Sequence, residues 1–261
     1  MKKILSLVVL LAMVVSLAAC GGGAQNEAGD LDYVKENGKM VIGYTVYAPM
    51  NFTDDEGKFT GFDTELAMLV CEKLGVEPEF TEINWDTKEV ELNAKSIDCI
   101  WNGLTITPDR QATMEITKPY VLNAQVVLMK SGSAYNGPAS LIGKTIVAEQ
   151  GSAGEGAIWD NEDLSQASYV PKTMQTDCLL EVKAGTADAA VLDLTLAKAM
   201  TGPGTSYSDL VIVDRMAEEY YGVAFRKGSD IAEAVDAIFD DLLADGTLAA
   251  LAEKYELSLA E

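Results

Sequence analysis

Hydrophobic and polar positions along this chain follow two periods, and that pattern divides it into elements. Residues 63–74 set Leu66, Leu69, Val70 and Leu74 at helical spacing, with Asp63 as N-cap and Gly75 as stop. Near the C-terminus, Ile231, Ala234, Val235, Ile238, Phe239, Leu242 and Leu243 step by three and four from a Ser229/Asp230 cap. Gly246 ends that helix, and Thr247 opens a last one through Leu251 and Tyr255. Short β-branched runs predict strands, among them 126–129 and 222–225. Two series of markers recur. Residues 38–43 (GKMVIG) return as 143–148 (GKTIVA), and 92–100 (LNAKSIDCI) return as 182–190 (VKAGTADAA). Each half opens with a strand, continues through a helix and a short turn, and enters a second strand behind an Asp. This predicts an α/β fold of two lobes, each on a partly parallel sheet. The strand at 126–129 leaves the first lobe and that at 222–225 returns, so the chain crosses twice and forms a hinge.

The first twenty residues stand apart from this grammar. Met1, Lys2 and Lys3 precede an apolar run from Ile4 to Ala18, shorter than the roughly 20 residues of a membrane-spanning helix. It reads as the core of a secretory signal peptide, residues 1–19. The run ends Leu17-Ala18-Ala19-Cys20, which resembles a bacterial lipobox and implies a diacylglyceryl thioether on Cys20. Residues 20–30, rich in Gly and polar side chains, read as a lipid-anchored tether. The expected location is the extracytoplasmic face of a cell membrane, periplasmic or cell-surface.

Composition narrows the chemistry. The 261 residues include 41 Asp+Glu against 19 Lys+Arg, a formal charge of −22, and no histidine. Loss of the leader leaves 17 basic residues against 41 acidic, −24. Ser-His-Asp and Cys-His catalysis and His-ligated metals are excluded. So is sequence-independent binding to nucleic acid, which needs a basic surface. At 48% hydrophobic and 23% charged residues, the chain can bury a core. Cys71, Cys99 and Cys178 sit in apolar contexts without CxxC spacing and read as buried thiols, with a Cys71–Cys99 bridge open if helix packs on strand. No cofactor or metal is expected.

Loops after strands are where open α/β sheets bind ligands. After the strand at 99–101, Thr107 and Pro108 form a cap and first-turn proline, with Arg110 in the same turn. A helix start and a guanidinium suit a carboxylate, although Arg110 could equally be a surface arginine. In the second half, Glu149-Gln150-Gly151-Ser152-Ala153-Gly154 joins a strand to a helix as a small-residue anion cradle. Asp193 ends the run 189–192, where it either receives an ammonium group or caps the next helix. Tyr44, Tyr47, Phe52, Trp85 and Trp101 follow first-lobe strands and can wall a pocket. Anion cradle, cation acceptor and aromatic walls together describe an α-amino acid site.

Seven segments, 61–76 (GFDTELAMLVCEKLGV), 97–110 (IDCIWNGLTITPDR), 117–130 (TKPYVLNAQVVLMK), 143–154 (GKTIVAEQGSAG), 187–193 (ADAAVLD), 220–229 (YYGVAFRKGS) and 242–255 (LLADGTLAALAEKY), resemble the extracytoplasmic amino-acid-binding proteins of ABC importers, solute-binding protein family 3. The resemblance spans about residues 38–256 in the family's order. It implies a two-lobe periplasmic-binding-protein-like fold of type II, with residues 31–120 and 222–261 as lobe 1 and 121–221 as lobe 2. Hinge points then fall near 120–124 and 217–221. Arg110 matches the residue that pairs with the ligand carboxylate, Thr105 the one that assists it, and Gly103 the one whose carbonyl accepts from the ammonium. Asp193 matches the acid that completes ammonium binding, Ser152 or Ala153 the second-lobe amide donors, and Tyr47 and Trp85 the ring walls. Ala153 departs from a hydroxyl common there, and Met50 from a usual phenylalanine. Tyr44, Asn102, Gln125 and Glu149 are the polar candidates at the side-chain end and favour a polar amino acid. The resemblance implies a monomer that delivers its ligand to ABC permease subunits without chemistry of its own. The alternative is a cyclohexadienyl or arogenate-type dehydratase on the same fold, with Glu149 as general acid.

Overall fold

The computed structural model describes residues 29–260; the leader, the lipobox with Cys20 and most of the tether lie outside them. Helix α1 (Asp30–Asn37) is stopped by Gly38 in the left-handed conformation and feeds β1 (Lys39–Tyr44). The hairpin of β2 (Phe52–Thr53) and β3 (Phe59–Thr60) leads into α2 (Phe62–Leu74). Then come β4 (Glu77–Glu82), a 3-10 turn at 85–87, α3 (Lys88–Asn93), β5 (Cys99–Thr105), α4 (Pro108–Thr113) and β6 (Met114–Ile116). The long β7 (Val121–Lys130) enters the second half, formed by β8 (Thr145–Glu149), α5 (Ala153–Asp160), β9 (Ser168–Lys172), α6 (Gln175–Ala184), β10 (Ala189–Asp193) and α7 (Leu194–Thr201). Strand β11 (Leu210–Arg226) returns, and α8 (Ile231–Ala244) and α9 (Thr247–Lys254) close the chain.

Apart from the β2–β3 hairpin, which pairs by itself, these strands form one sheet in the order β4-β1-β5-β11-β7-β10-β8-β9, with β6 also on β11. Both outer portions are parallel: β1 pairs with β4 and β5, and β8 with β9 and β10. The middle is antiparallel, β11 lying between β5 and β7. The molecule therefore has two α/β lobes joined by two paired strands. Strand β11 is far longer than the 222–225 run predicted, because its first part, where Glu and Arg interrupt the apolar pattern, pairs with β7 from Leu210 onward. The recurrent Asp explains the internal repeat. Asp98 accepts from the Val41 amide (2.9 Å) and Asp188 from the Thr145 amide (2.8 Å), each tying a second strand to the start of its lobe's first.

Helix α8 buries Ile231, Ala232, Val235, Ile238, Phe239 and Leu242 on the first lobe's sheet, each large side chain contributing about 1.5–3 kcal/mol. Leu243, expected in that stripe, is exposed. Helix α2 also departs from expectation. Its N-cap is Gly61 and not Asp63, which sits inside the first turn with a fully buried carboxylate. That carboxylate accepts from the Gly103 amide (2.7 Å) and the Tyr120 hydroxyl (2.8 Å). Cys71, Cys99 and Cys178 are free and buried.

Candidate functional site

The cleft between the lobes is built from the ends of β5, β8 and β10 and from the crossover strands. Helix α4 begins as predicted: the Thr107 hydroxyl accepts from the Arg110 amide (3.2 Å), with Pro108 in the first turn. This aims the Arg110 side chain back over β5. Its Nη1 donates to the Thr105 carbonyl (2.8 Å) and its Nη2 to the Gly151 carbonyl of the other lobe (3.1 Å). Arg110 is 9% exposed, and the cavity beside it is about 830 Å³. Lys88, Arg110, Gln125, Gly151, Ser152, Ala153 and residues 216–219 are among its lining.

Facing Arg110 is a cluster of acids. The buried Asp193 accepts at Oδ1 from Asn123 Nδ2 (2.7 Å) and Gln125 Nε2 (2.7 Å), and at Oδ2 from Gln175 Nε2. The same two amides donate to Glu219 Oε1 (2.6 and 2.7 Å), which also accepts from the Thr105 hydroxyl (2.9 Å). Burial, and then the neighbouring Asp193, pushes the Glu219 carboxyl up to about 7. Glu149, 3% exposed at the end of β8, is pushed up to about 8 by burial and then by Asp193, and its Oε1 has no hydrogen-bond partner among the described residues. Burial lowers Arg110 from its ordinary value, while Glu219 and Asp193 oppose that effect. Lys88 is brought down to about 8 by burial and then by Arg110.

Of the residues singled out in the sequence, Arg110, Thr105, Asp193, Gln125, Glu149, Ser152 and Ala153 converge here. Ser152 caps α5, its hydroxyl accepting from the Glu155 amide (3.1 Å) and its own amide donating to the Glu149 carbonyl (3.2 Å). Its amide is thus occupied, and Ala153 is the other amide of that cradle. Gly103 adopts φ +58°, and a Cβ there would lie 2.7 Å from the Tyr47 ring and 3.1 Å from that of Tyr221. Tyr47 is buried behind the cleft, its hydroxyl bonded to Thr195 and to Tyr221 (2.6 Å).

Three side chains are placed elsewhere. Trp85 packs into a first-lobe cluster with Ile83, Leu92 and Ile97, and Lys88 Nζ lies over its ring at 4.9 Å. Tyr44 packs tilted on Phe59 and edge-on to Phe80, because period two on β1 puts it on the face of Met40 and Ile42. Asn102 points to the opposite side of β5 from Gly103 and Thr105. Its amide is spent on the Thr45 carbonyl (2.9 Å) and Asn51 Oδ1 (2.7 Å), and its Oδ1 on the Thr45 hydroxyl (2.7 Å). Sequence reasoning missed Glu219, Lys88, Asn123 and Gln175. Only Glu219 left a signal there, as an acid interrupting an apolar strand beside two tyrosines.

Two α/β lobes joined by paired crossover strands, with a buried arginine facing an acid cluster between them, define a two-lobe solute-binding protein. A family model for bacterial extracellular solute-binding proteins, family 3, matches residues 40–258, and the chain belongs to that family. It is 29% identical over 233 residues to the L-cystine-binding protein TcyJ of Escherichia coli (strain K12), covering 88% of this chain and 86% of that one. It is 27% identical over 262 residues to the arginine-binding extracellular protein ArtP of Bacillus subtilis (strain 168), covering 98% of both. Among solved structures, a mutant of ArgBP from T. maritima superposes with TM-score 0.80 at 31% identity, over 87% of this chain and 98% of that one. The ancestral amino-acid-binding protein AncCDT-1, described as a precursor of cyclohexadienyl dehydratase, does so with TM-score 0.78 at 29% identity, over 86% and 98%.

Proposed function

We propose that this protein captures a polar amino acid between its lobes and delivers it to the permease of an ABC importer. The observation that carries this reading is the juxtaposition of Arg110 with Asp193 and Glu219 in one cleft. Arg110 offers a planar fork to the α-carboxylate, with the Ala153 amide beside it. Asp193 and Glu219 receive the α-ammonium, Thr105 orients Glu219, and Tyr47 and Gly103 seal the floor. Residues 31–120 with 222–261 form the lobe that carries Arg110, and 121–221 form the lobe that carries Asp193. The relatives' ligands, cystine and arginine, are amphoteric and agree with a site rich in both charges. Cys20 anchors the protein by lipid on the extracytoplasmic face, and the protein acts as a monomer.

A thermal-shift screen against the twenty amino acids and cystine tests the reading. A ligand at 100 times its Kd should add about 2.7 kcal/mol of stability. Arg110→Ala and Asp193→Ala should each remove the shift while leaving a cooperative unfolding transition. Absence of any shift with the whole panel would sink the proposal.

A second reading draws on Glu149, whose raised carboxyl holds a proton at neutral pH as a dehydratase acid must. It requires turnover of arogenate to phenylalanine, water and carbon dioxide. Incubation at pH 7 followed by chromatography for phenylalanine separates a catalyst from a binder.

A further inference from the structure

The cleft holds more charge than a single amino-acid head requires. Arg110 has five N–H donors, and two are committed to carbonyls. The remaining three can hold one carboxylate bidentately without help. Lys88 nonetheless stands beside it, on the first turn of α3, 5% exposed and lining the same cavity. Its Nζ donates to the Trp85 carbonyl (3.0 Å) and to the Gly151 carbonyl (3.0 Å), the acceptor it shares with Arg110. Among the described residues no carboxylate lies within 4.0 Å of Lys88 or Arg110, so two buried cations share one cavity without a counter-ion from the protein. A buried ammonium left in that condition is costly, and its proton affinity falls accordingly.

The acids show the same duplication. Asp193 and Glu219 are bound into one amide network. Glu149 stands outside it, almost fully buried, with an oxygen that no described residue satisfies. Its charged neighbours include both Lys88 and Arg110. Glu149 ends β8, directly before the Gly151–Ala153 wall of the cavity. The cleft thus gathers two cations, Arg110 and Lys88, and three acids, Asp193, Glu219 and Glu149, with no salt bridge between them among the described residues.

Building on the amino-acid-binding reading above, we propose that the ligand is double-headed: a diamino dicarboxylic acid whose second carboxylate is taken by Lys88 and second ammonium by Glu149. Such a molecule brings two charges of each sign to these cations and acids. A basic amino acid would leave Lys88 unpaired and place a like charge near it. An acidic one would leave Glu149 unpaired. A single-headed neutral amino acid would leave both.

Matched pairs of ligands test this on the full chain by isothermal titration calorimetry. Diaminopimelate and lysine differ only by the second carboxylate, as do cystine and the mixed disulfide of cysteine with cysteamine. In at least one pair the double-headed member should bind about 10- to 100-fold tighter. In Lys88→Met the ratio within that pair should fall toward one. Wild-type ratios alone decide the matter if that variant does not fold. Equal or tighter binding of the decarboxylated member in both pairs overturns the proposal while leaving amino-acid binding intact. So does an equal loss for both members of a pair in Lys88→Met, which would put Lys88 on the shared carboxylate. If none of these compounds and none of the twenty amino acids bind, the parent reading fails together with this one.

Discussion

Asp63 shows how a single residue can set the pH response of the fold. Burial raises its carboxyl to about 7, against the stabilising bonds from Tyr120 and Gly103. The folded protein therefore keeps a proton that the unfolded chain has already released above about pH 4. Unfolding then releases a proton, and stability falls as pH rises, by up to about 1.4 kcal/mol per pH unit for one such group until the folded value is reached. Asp63→Asn removes this dependence, so its stability relative to wild type should improve steadily between pH 5 and pH 7 in urea unfolding. A difference independent of pH would show that Asp63 is not titrating there. Glu219 makes a related case inside the cleft. Glu219→Gln keeps a hydrogen-bonding partner for Thr105 but removes a charge next to the α-ammonium. Under the proposed function it should weaken ligand binding about 10-fold or more, read by calorimetry, with little change in melting temperature.

At the scale of elements, the two repeats begin alike but in different surroundings. Asp98 is nearly buried and also meets Arg226 (3.3 Å), which in turn holds Asp30 (2.9 Å) and the Ile97 carbonyl (2.9 Å). Asp188 stands at the surface, with Lys144 3.8 Å away. Asp98→Ala should cost about 2–3 kcal/mol, because it leaves the Val41 amide unpaired and removes one of the two carboxylates on the buried Arg226. Asp188→Ala should cost about 1 kcal/mol, the loss of an amide bond and a solvated pair. Helix α5 supplies a second test. A Cβ on Gly154 would lie 2.7 Å from the Val191 carbonyl, so Gly154→Ala must lift the helix from β10. That should cost about 1–3 kcal/mol and weaken ligand binding, because the Gly151–Ala153 wall moves with it.

Such contrasts also mark what the sequence could reveal. The lobes, the crossings and the α4 start were legible, because period, caps and a recurring Asp are local signals. Asp193 ends a strand and Arg110 opens the helix just after one, where ligands collect. Tyr44, Trp85 and Asn102 stood at strand ends too, or close to them, yet point away from the cleft, since side-chain direction depends on register and on neighbours distant in sequence. Lys88 was invisible, and Glu219 left only a faint signal, for a related reason. A lysine opening a helix and a glutamate on a strand look like solvated residues until the other lobe covers them.

For the whole molecule, the acid cluster makes ligand capture a proton-linked event. Glu149 and Glu219 carry raised values in the free cleft. A cationic group placed against them favours their ionised forms, so binding near pH 7 should release protons. Calorimetry in buffers of different ionisation enthalpy reads that number directly, and a heat independent of buffer would contradict it. The overall charge of −22 adds a diffuse attraction for cations, which 0.15 M salt screens beyond about 8 Å.

The crossover ribbon carries one more consequence. Its register slips between Arg215 and Glu218, so Met216 and Ala217 together stand opposite the single Gln125 of β7, one residue in excess, and both also line the cavity. The slack in the ribbon therefore lies in the wall of the cavity proposed to take the ligand. A bound molecule acts there as a splint: it braces the point about which the lobes bend. Under the proposed function, loaded and empty protein then differ in stiffness at the joint. Amide exchange at 215–218 should slow on ligand binding more than exchange along β1 or β4, which the cargo never meets.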